Sequence, residues 1–281
     1  MGLRSVLAKL VADRVMAGTR TRRAVMDRLA GDGIRFLKEA PDHTVAFFPS
    51  DVIGRQILET GEFLRQAVRD LRAHLEQNRC FRPGMTVLEI GANIGTQTIY
   101  FFRDLDCARL IALEPDPDNL RVLTHNMALN GLTDRIEPLA LAASDRAGQA
   151  QFTRNLLNRG GSGLGDGTRR GTDSESFSVD VVGIDDLLRA RGQGPETIDL
   201  VWMDVEGHEL AALRGMTQLM KTARPPVFLE YTPSADPERA RAMRDLLFGT
   251  YGQVCLYDVA FRPLSKKDFA ALSRQVDLLA I

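Results

Sequence analysis

Three acidic residues and one histidine lie within six consecutive positions, and we take them as candidate catalytic residues: Asp204, Glu206, His208 and Glu209. They follow an apolar run that predicts a buried strand. Crowded carboxylates disfavour one another's ionisation, so one of them can serve as a general base, and such a group can also hold a divalent cation. The helix dipole explains Glu209 equally simply, and His208 is as well explained as a surface residue. We predict general-base chemistry and no metal site.

A glycine turn supplies the strongest local signal. An apolar strand runs into Glu89-Ile90-Gly91-Ala92-Asn93-Ile94-Gly95 and then opens a helix. Glycine lets the backbone pass close to a ligand where a side chain would collide. The G-x-x-x-G spacing differs from the G-x-G-x-x-G pattern that cradles a pyrophosphate. A dinucleotide therefore fits poorly, whereas an adenosyl ligand without phosphates fits better.

The end of the next predicted strand carries Glu114, 19 residues after Gly95, followed by Pro115. A carboxylate at this position can accept hydrogen bonds from both hydroxyls of a ribose. A solvated strand-end charge would be the simpler explanation of Glu114 alone, but its combination with the glycine turn favours the ligand. Small residues around Ala143, after the third strand, are weaker candidates for lining an adenine slot.

These residues must be positioned by short apolar strands that alternate with helices. Alternation of this kind predicts an α/β fold with a Rossmann-like, doubly wound, mainly parallel seven-stranded sheet. The predicted strands are Thr86–Ile90, Arg109–Leu113, Arg135–Ala140, Ile198–Met203, Val227–Tyr231, Gln253–Tyr257 and Val276–Ile281. The predicted helices are Ile94–Arg103, Pro117–Asn130, His208–Lys221 and Pro237–Phe248. The fifth strand should bring Glu230 to the same crevice.

A β-hairpin insertion interrupts this alternation, with predicted strands Gln151–Arg154 and Ser176–Val182. The intervening segment Asn158–Ser176 is rich in glycine and cannot pack a core of its own. We interpret it either as a substrate lid or as an idle hairpin tip, with its place in an α/β protein favouring the lid.

The sequence pattern divides the chain into two predicted parts. Residues 1–80 form an N-terminal helical extension, and residues 81–281 form the cofactor-binding domain. The extension includes a helix at Ile57–Gln77 and one convincing strand, Thr44–Phe48. Residues 1–40 carry nine bases and four acids, a net charge of +5, on an amphipathic helical pattern. Packing on the main domain or on a second subunit, as in a homodimer, is favoured over contact with a membrane surface or a docking partner.

Overall composition excludes several classes of function. The chain has 281 residues, with Lys+Arg 36 and Asp+Glu 37, so its net charge of −1 offers no general attraction for nucleic acid. No apolar run is long enough for a transmembrane helix. The three cysteines, Cys80, Cys107 and Cys255, are far apart, which predicts reduced thiols and a cytoplasmic protein.

Blocks in a fixed order carry a resemblance to a known family: Leu88–Gly95, Leu113–Pro115, Gly183–Asp185, Met203–Glu209, Leu213–Gly215 and Pro226–Glu230. From about residue 84 to 281, the chain resembles FkbM-type methyltransferases, which use S-adenosylmethionine. The resemblance implies O-methylation of a hydroxyl on a sugar, a glycan or a secondary metabolite. By position it implies a cofactor turn formed by Glu89, Gly91, Asn93 and Gly95. It also implies ribose contact by Glu114, while Asp204, Glu206 and Glu209 face the acceptor.

Three alternatives compete with this hypothesis. A nucleic-acid amino-methylase should carry an Asn/Asp-Pro-Pro-aromatic motif where this chain has Asp204-Val205-Glu206-Gly207. A nicotinamide-dependent oxidoreductase needs the other glycine spacing. A non-catalytic cofactor-binding scaffold would bind the cofactor without turnover. For a methyltransferase, Asp204 or His208 is the candidate base for the acceptor hydroxyl, and a divalent metal could replace it.

Overall fold

A computed structural model describes Ala24 and residues 34–281, apart from residues 50, 157, 166–173 and 235. The basic helix predicted within residues 1–40 lies almost entirely outside the described residues, as does part of the glycine-rich segment. Every helix in the described part is too short or too polar to cross a lipid bilayer. Cys80, Cys107 and Cys255 are free thiols, as predicted.

An eight-stranded mixed sheet forms the centre of the molecule. Its strands are β3 (Met85–Ile90), β4 (Cys107–Leu113), β5 (Ile136–Leu139), β10 (Leu200–Met203), β11 (Val227–Tyr231), β12 (Val254–Tyr257), β13 (Phe261–Pro263) and β14 (Val276–Ala280). Their order is β13-β12-β14-β11-β10-β3-β4-β5. The run from β11 to β5 is parallel, whereas β12, β13 and β14 pair antiparallel.

The predicted count of seven strands is therefore corrected to eight, and the mainly parallel sheet to a mixed one. All seven predicted strands are present. The additional strand, β13, follows β12 after three residues, a connection too short for a parallel crossover, so β13 pairs antiparallel at the edge.

Alternate residues of each strand face opposite sides of the sheet and enter two separate hydrophobic cores. In β3, Val87 enters one core and Leu88 the other. One core is covered by α1 (Val52–Thr60), α2 (Arg65–Gln77), α3 (Thr96–Asp104) and α4 (Pro117–Leu129). The other is covered by α5 (Ile184–Ala190), α6 (Glu209–Arg214), α7 (Thr217–Thr222), α8 (Pro237–Thr250) and α9 (Lys266–Ala270). Helices on both faces bury the parallel strands on both sides.

Two predicted helices are each divided in two. The predicted helix Ile57–Gln77 breaks at Gly61, whose left-handed φ of 83° ends α1 and lets its N–H bond the Ile57 carbonyl. The predicted helix His208–Lys221 divides into α6 and α7 at Gly215. A Cβ at Gly215 would lie 1.9 Å from the Ser144 carbonyl oxygen, so the close approach of another loop requires glycine there.

A β-hairpin precedes α1, formed by β1 (Phe36–Glu39) and β2 (Thr44–Phe47). The sequence predicted only the second of these strands. The fully buried side-chain amide of Asn126 on α4 accepts a hydrogen bond from the Ala46 N–H (2.6 Å) and donates to the Ile94 carbonyl (2.8 Å). This amide joins the N-terminal hairpin to the glycine turn.

The predicted hairpin insertion is present within a second sheet. This sheet has the order β6-β9-β7-β8 and comprises β6 (Ala142–Ala143), β7 (Gly148–Asn155), β8 (Gly163–Leu164) and β9 (Ser174–Val182). Arg154 of β7 fastens it to α4 through an ion pair with Asp116 (2.6 Å), whose carboxylate also caps that helix. The insertion is therefore held over the carboxyl ends of β4 and β5.

Candidate active site

A cleft opens at the carboxyl ends of the parallel strands. This is the edge where open α/β sheets bind ligands. The cleft is lined by residues from the strand ends and from the inserted sheet, including Gly91, Asn93, Glu114, Pro115, Asn119, Ala143, Phe152, Arg159, Gly163, Asp204 and His208.

The glycine turn brings two strand ends into contact. Gly91 has a left-handed φ of 85°, and a Cβ there would lie 1.8 Å from the carbonyl oxygen of Asp204. Only glycine allows this approach, because the obstacle is backbone. Asn93 also has a positive φ, of 50°, and its buried Oδ1 has no hydrogen-bond partner among the described residues. The turn therefore presents an acceptor to the cleft.

Glu114 is a buried carboxylate surrounded by donors. It accepts hydrogen bonds from the backbone N–H groups of Asn93 and Asp116, both at 2.8 Å, and from the Asn119 amide at 3.4 Å. Burial raises the pKa of Glu114 to about 7, against the opposing effect of these donors. A carboxylate has about four lone-pair directions, so acceptor capacity is left for a ligand in the cleft.

A row of carboxyl groups runs from Asp204, in the cleft wall, across the neighbouring strands β11 and β14. Asp204 directly follows β10 and lies level with Glu230 of β11. Glu230 in turn pairs in register with Asp277 of β14. Burial raises the pKa of Asp204 well above its usual range, and the charges of Glu230 and Glu206 raise it further. Burial likewise raises the pKa of Asp277 to about 7. One Asp204 oxygen is buried without a partner among the described residues.

Three of these carboxyl groups could hold a metal ion. One oxygen from each of Asp204, Glu206 and Glu230 lies within 4.8 Å of the others. An all-oxygen set of this kind suits a hard divalent cation such as Mg²⁺ or Ca²⁺.

The turn after Asp204 uses its own backbone donors internally. Glu206 and Gly207 both have positive φ, of 47° and 87°. The Gly207 N–H donates to the buried carboxylate of Glu209 at 2.5 Å, and Arg239 donates to the Gly207 carbonyl. Burial raises the pKa of Glu209. Glu209 thus holds the turn in shape.

His208 stands at the wall of the cleft, with its Nε2 3.2 Å from the Ser144 hydroxyl. Burial, and then the positive charge of Arg239, lower the pKa of His208. A neutral imidazole can accept a proton, so the geometry leaves both Asp204 and His208 as candidate bases.

Of the seven residues predicted to bind a cofactor, five line the cleft: Gly91, Asn93, Glu114, Pro115 and Ala143. Gly95 lies behind the turn, where a Cβ would crowd Met127 and Leu123. Glu89 is buried in β3 below the cleft and accepts a hydrogen bond from the Thr98 hydroxyl at 2.5 Å, so it does not line the cleft. Of the four predicted catalytic residues, Asp204 and His208 line the cleft, while Glu206 lies in the adjoining turn and Glu209 begins α6.

Asn119 on α4 and Arg159 in the glycine-rich segment also line the cleft, although neither was among the predicted site residues. The described part of that segment, including Gly160, Ser162 and Gly163, forms one wall of the cleft. Its glycine content was the available signal, because a Cβ at Gly163 would lie 3.2 Å from the Glu206 carbonyl.

Comparison with known proteins identifies the family. Residues 89–259 match the methyltransferase FkbM domain. The chain belongs to the FkbM methyltransferase family. The resemblance carried by the sequence blocks is thereby confirmed, and the nicotinamide-dependent oxidoreductase is set aside.

The names of two relatives state the kind of methylation that they carry out. The 2-O-methyltransferase NoeI of Sinorhizobium fredii is 28% identical over 220 residues, which cover 69% of this chain and 84% of NoeI. The hexuronic acid methyltransferase AglP of Haloferax volcanii is 27% identical over 175 residues, which cover 61% of this chain and 67% of AglP. Among solved structures, methyltransferase FkbM of Methylobacillus flagellatus KT aligns with 15% identity and a TM-score of 0.46, over 73% of this chain and 49% of its own.

Proposed function

We propose that this FkbM methyltransferase is an S-adenosylmethionine-dependent O-methyltransferase acting on a hydroxyl of a sugar or glycan. The observation that carries the proposal is the placement of two buried carboxyl groups, Glu114 and Asp204, on opposite sides of one cleft. Glu114 is surrounded by hydrogen-bond donors and is suited to binding. Asp204 is surrounded by other acids and is suited to taking up a proton.

The cofactor side fits an adenosyl ligand. Glu114 would accept the ribose hydroxyls, and the unpartnered Oδ1 of Asn93 would accept from the amino-acid end of the ligand. Ala143 and Leu141 form an apolar wall of the cleft that would contact the adenine ring. When bound, S-adenosylmethionine supplies an electrophilic methyl group attached to a good leaving group.

The chain's own residues then have two tasks. The first is to align the acceptor hydroxyl with the methyl group, which can supply much of the rate enhancement. The second is to remove the hydroxyl proton as the new carbon–oxygen bond forms. We assign removal of this proton to Asp204, because its raised pKa makes it a stronger base than an ordinary aspartate. His208 is the alternative base.

A sugar acceptor is favoured by the two relatives whose names specify 2-O-methylation and a hexuronic acid. The inserted sheet and its glycine-rich segment, which form one wall of the cleft, are the parts positioned to select among acceptors. We also infer a cytoplasmic enzyme, without nucleic acid as a partner. Homodimer or membrane-surface contact through the basic N-terminal segment is a prediction outside the described residues. The division of the chain into residues 1–80 and 81–281 also stays a prediction.

Calorimetric titration with S-adenosylhomocysteine, with NAD as the comparison ligand, tests the proposal. We expect binding of S-adenosylhomocysteine alone, weakened about 10- to 100-fold in Glu114→Gln because charge-assisted hydrogen bonds are lost. Glu137→Gln, an exposed acid on the neighbouring strand β5, is the matched control and should leave the affinity unchanged. Binding of NAD, or of neither ligand, would overturn the cofactor assignment. Methylation of glucose or glucuronate by the wild type then tests the acceptor.

A further inference from the structure

Arg159 is a cation built into the cleft wall by the glycine-rich segment. It begins a short 3₁₀ turn (Arg159–Gly161), and its backbone N–H donates to the buried Asp51 carboxylate at 3.0 Å. Its side chain is only 10% exposed. The guanidinium lies over the Phe48 ring, 3.9 Å from the ring centroid. The backbone hydrogen bond to Asp51 and the contact with the Phe48 ring together fix the position of the Arg159 charge.

The acids near Arg159 are more closely engaged with other arginines. The contacts of its guanidinium with described residues are a 3.4 Å hydrogen bond to the Asn119 amide oxygen and two longer ion pairs, 3.6 Å to Asp118 and 3.7 Å to Asp116. Asp116 is held at 2.6 Å by Arg154, and Asp118 is in closer contact with Arg121. A buried guanidinium has five N–H donors, so its contacts leave capacity for a stronger acceptor.

A second guanidinium group lies beside that of Arg159. Arg35 is also over the Phe48 ring, 4.0 Å from its centroid, so two guanidinium groups share one aromatic side chain. Burial lowers the pKa of Arg159, and the charge of Asp116 opposes this effect. An anion arriving in the cleft would give the buried Arg159 charge a closer partner than the acids now around it.

We propose that Arg159 binds a carboxylate of a cleft ligand through its planar guanidinium. The fork of parallel N–H donors matches a carboxylate in a bidentate geometry. Two ligands expected in the cleft carry this group, the amino-acid end of the cofactor and a uronic-acid acceptor, so the inference rests on the proposed function. The similarity to a hexuronic acid methyltransferase makes the acceptor carboxylate a specific candidate.

Titrations of the full chain separate the two sources. S-adenosylhomocysteine carries the amino-acid carboxylate and 5′-methylthioadenosine lacks it, while glucuronate and glucose form the corresponding acceptor pair, titrated with S-adenosylhomocysteine present. We expect Arg159→Gln to weaken binding of one carboxylate ligand about 10- to 100-fold, leaving its uncharged counterpart unchanged. Arg159→Lys keeps the charge without the fork and should show an intermediate loss. Arg121→Gln removes an exposed charge from the same cluster and should change neither.

Each result decides the assignment. Selective loss of S-adenosylhomocysteine affinity assigns Arg159 to the cofactor, and selective loss of glucuronate affinity assigns it to the acceptor. The inference is overturned if Arg159→Gln weakens 5′-methylthioadenosine equally, if Arg121→Gln has the same effect, or if no carboxylate ligand loses affinity. Failure of the wild type to bind S-adenosylhomocysteine at all would instead overturn the proposed function.

Discussion

The two sides of the cleft treat a buried carboxyl group in opposite ways. Glu114 receives hydrogen bonds from two backbone N–H groups and one amide. Asp204 faces Glu206 and Glu230, and one of its oxygens has no partner in the part of the chain that the structure describes. Both groups end parallel strands of the same sheet, so burial alone does not explain the difference.

The difference comes from where the backbone turns after each strand. After β4, the chain directs the N–H of Asp116 back to Glu114, and the glycine turn adds that of Asn93. After β10, the left-handed residues Glu206 and Gly207 direct a donor to Glu209 instead. A carboxylate supplied with donors is suited to holding a ligand, whereas one deprived of them and crowded by acids gains affinity for a proton.

Gly91→Ala should disrupt the surroundings of both Glu114 and Asp204, and we expect the largest effect from this variant. The added Cβ would lie 1.8 Å from the Asp204 carbonyl oxygen, so the two strand ends must separate. We expect a loss of about 3 kcal/mol or more in unfolding free energy and no detectable S-adenosylhomocysteine binding. Urea denaturation and calorimetry measure the two effects.

Gly131→Ala is the matched control, because Gly131 also has a positive φ, of 68°, but has open space around its Cβ position. It should cost about 1 kcal/mol and leave binding intact. Equal losses in the two variants would attribute the effect to backbone conformation and not to contact between the strands.

Asp204→Asn should separate chemistry from binding. Removal of the proton acceptor is expected to reduce turnover about 10²- to 10⁴-fold while S-adenosylhomocysteine affinity changes less than about threefold. Initial rates of methyl transfer and calorimetry measure the two quantities. Full activity in Asp204→Asn together with a large loss in His208→Gln would move the base to His208.

Glu230→Gln should sharpen the proton-acceptor side. The negative charge of Glu230 raises the pKa of Asp204, so its removal should lower that pKa and move the acid limb of the kcat/KM profile to lower pH. We expect a shift of about one pH unit, measured from pH 5 to 9. Asp277→Asn should move the limb in the same direction by less. If the acid limb of the kcat/KM profile stays at the wild-type pH in both variants, the charges of Glu230 and Asp277 do not raise the pKa of the base.

Glu89→Gln should have the smallest effect on the cleft and a visible effect on stability. Burial raises the pKa of Glu89 to about 8, so its contribution to stability is present at low pH and is lost as pH rises through that value. Between pH 6 and 9, the wild type should lose on the order of 2 kcal/mol more unfolding free energy than Glu89→Gln. If the unfolding free energies of the wild type and Glu89→Gln change with pH in parallel, the prediction is contradicted. A loss of S-adenosylhomocysteine affinity equal to that of Glu114→Gln would indicate that Glu89 contacts the cofactor.

Local patterns were sufficient to predict the seven principal strands and much of the site. Glu114 and Asp204 were found because each ends an apolar run that the alternation identifies as a parallel strand. Parallel strands end at one edge, so their terminal acids meet there whatever the details of the loops.

Features that depend on contacts distant in sequence were missed. Arg159 reaches the cleft because Asp51, more than a hundred positions earlier, holds its backbone. Gly215, where the predicted helix divides, lies against the Ser144 carbonyl, and helical periodicity cannot reveal such a long-range contact. The row from Asp204 to Asp277 requires the antiparallel register of β14, which only the assembled sheet specifies.

The buried amide of Asn126 has a consequence for how the molecule can be divided. By bonding both Ala46 and Ile94, it makes the N-terminal hairpin and the ligand-binding turn depend on the same side chain. Removal of residues 1–80 would take away the N–H and the carbonyl of Ala46, which both bond this amide, and leave it partly unpaired inside an apolar core. We expect amide protons of β2 and of the glycine turn to exchange with solvent together, as one cooperative unit.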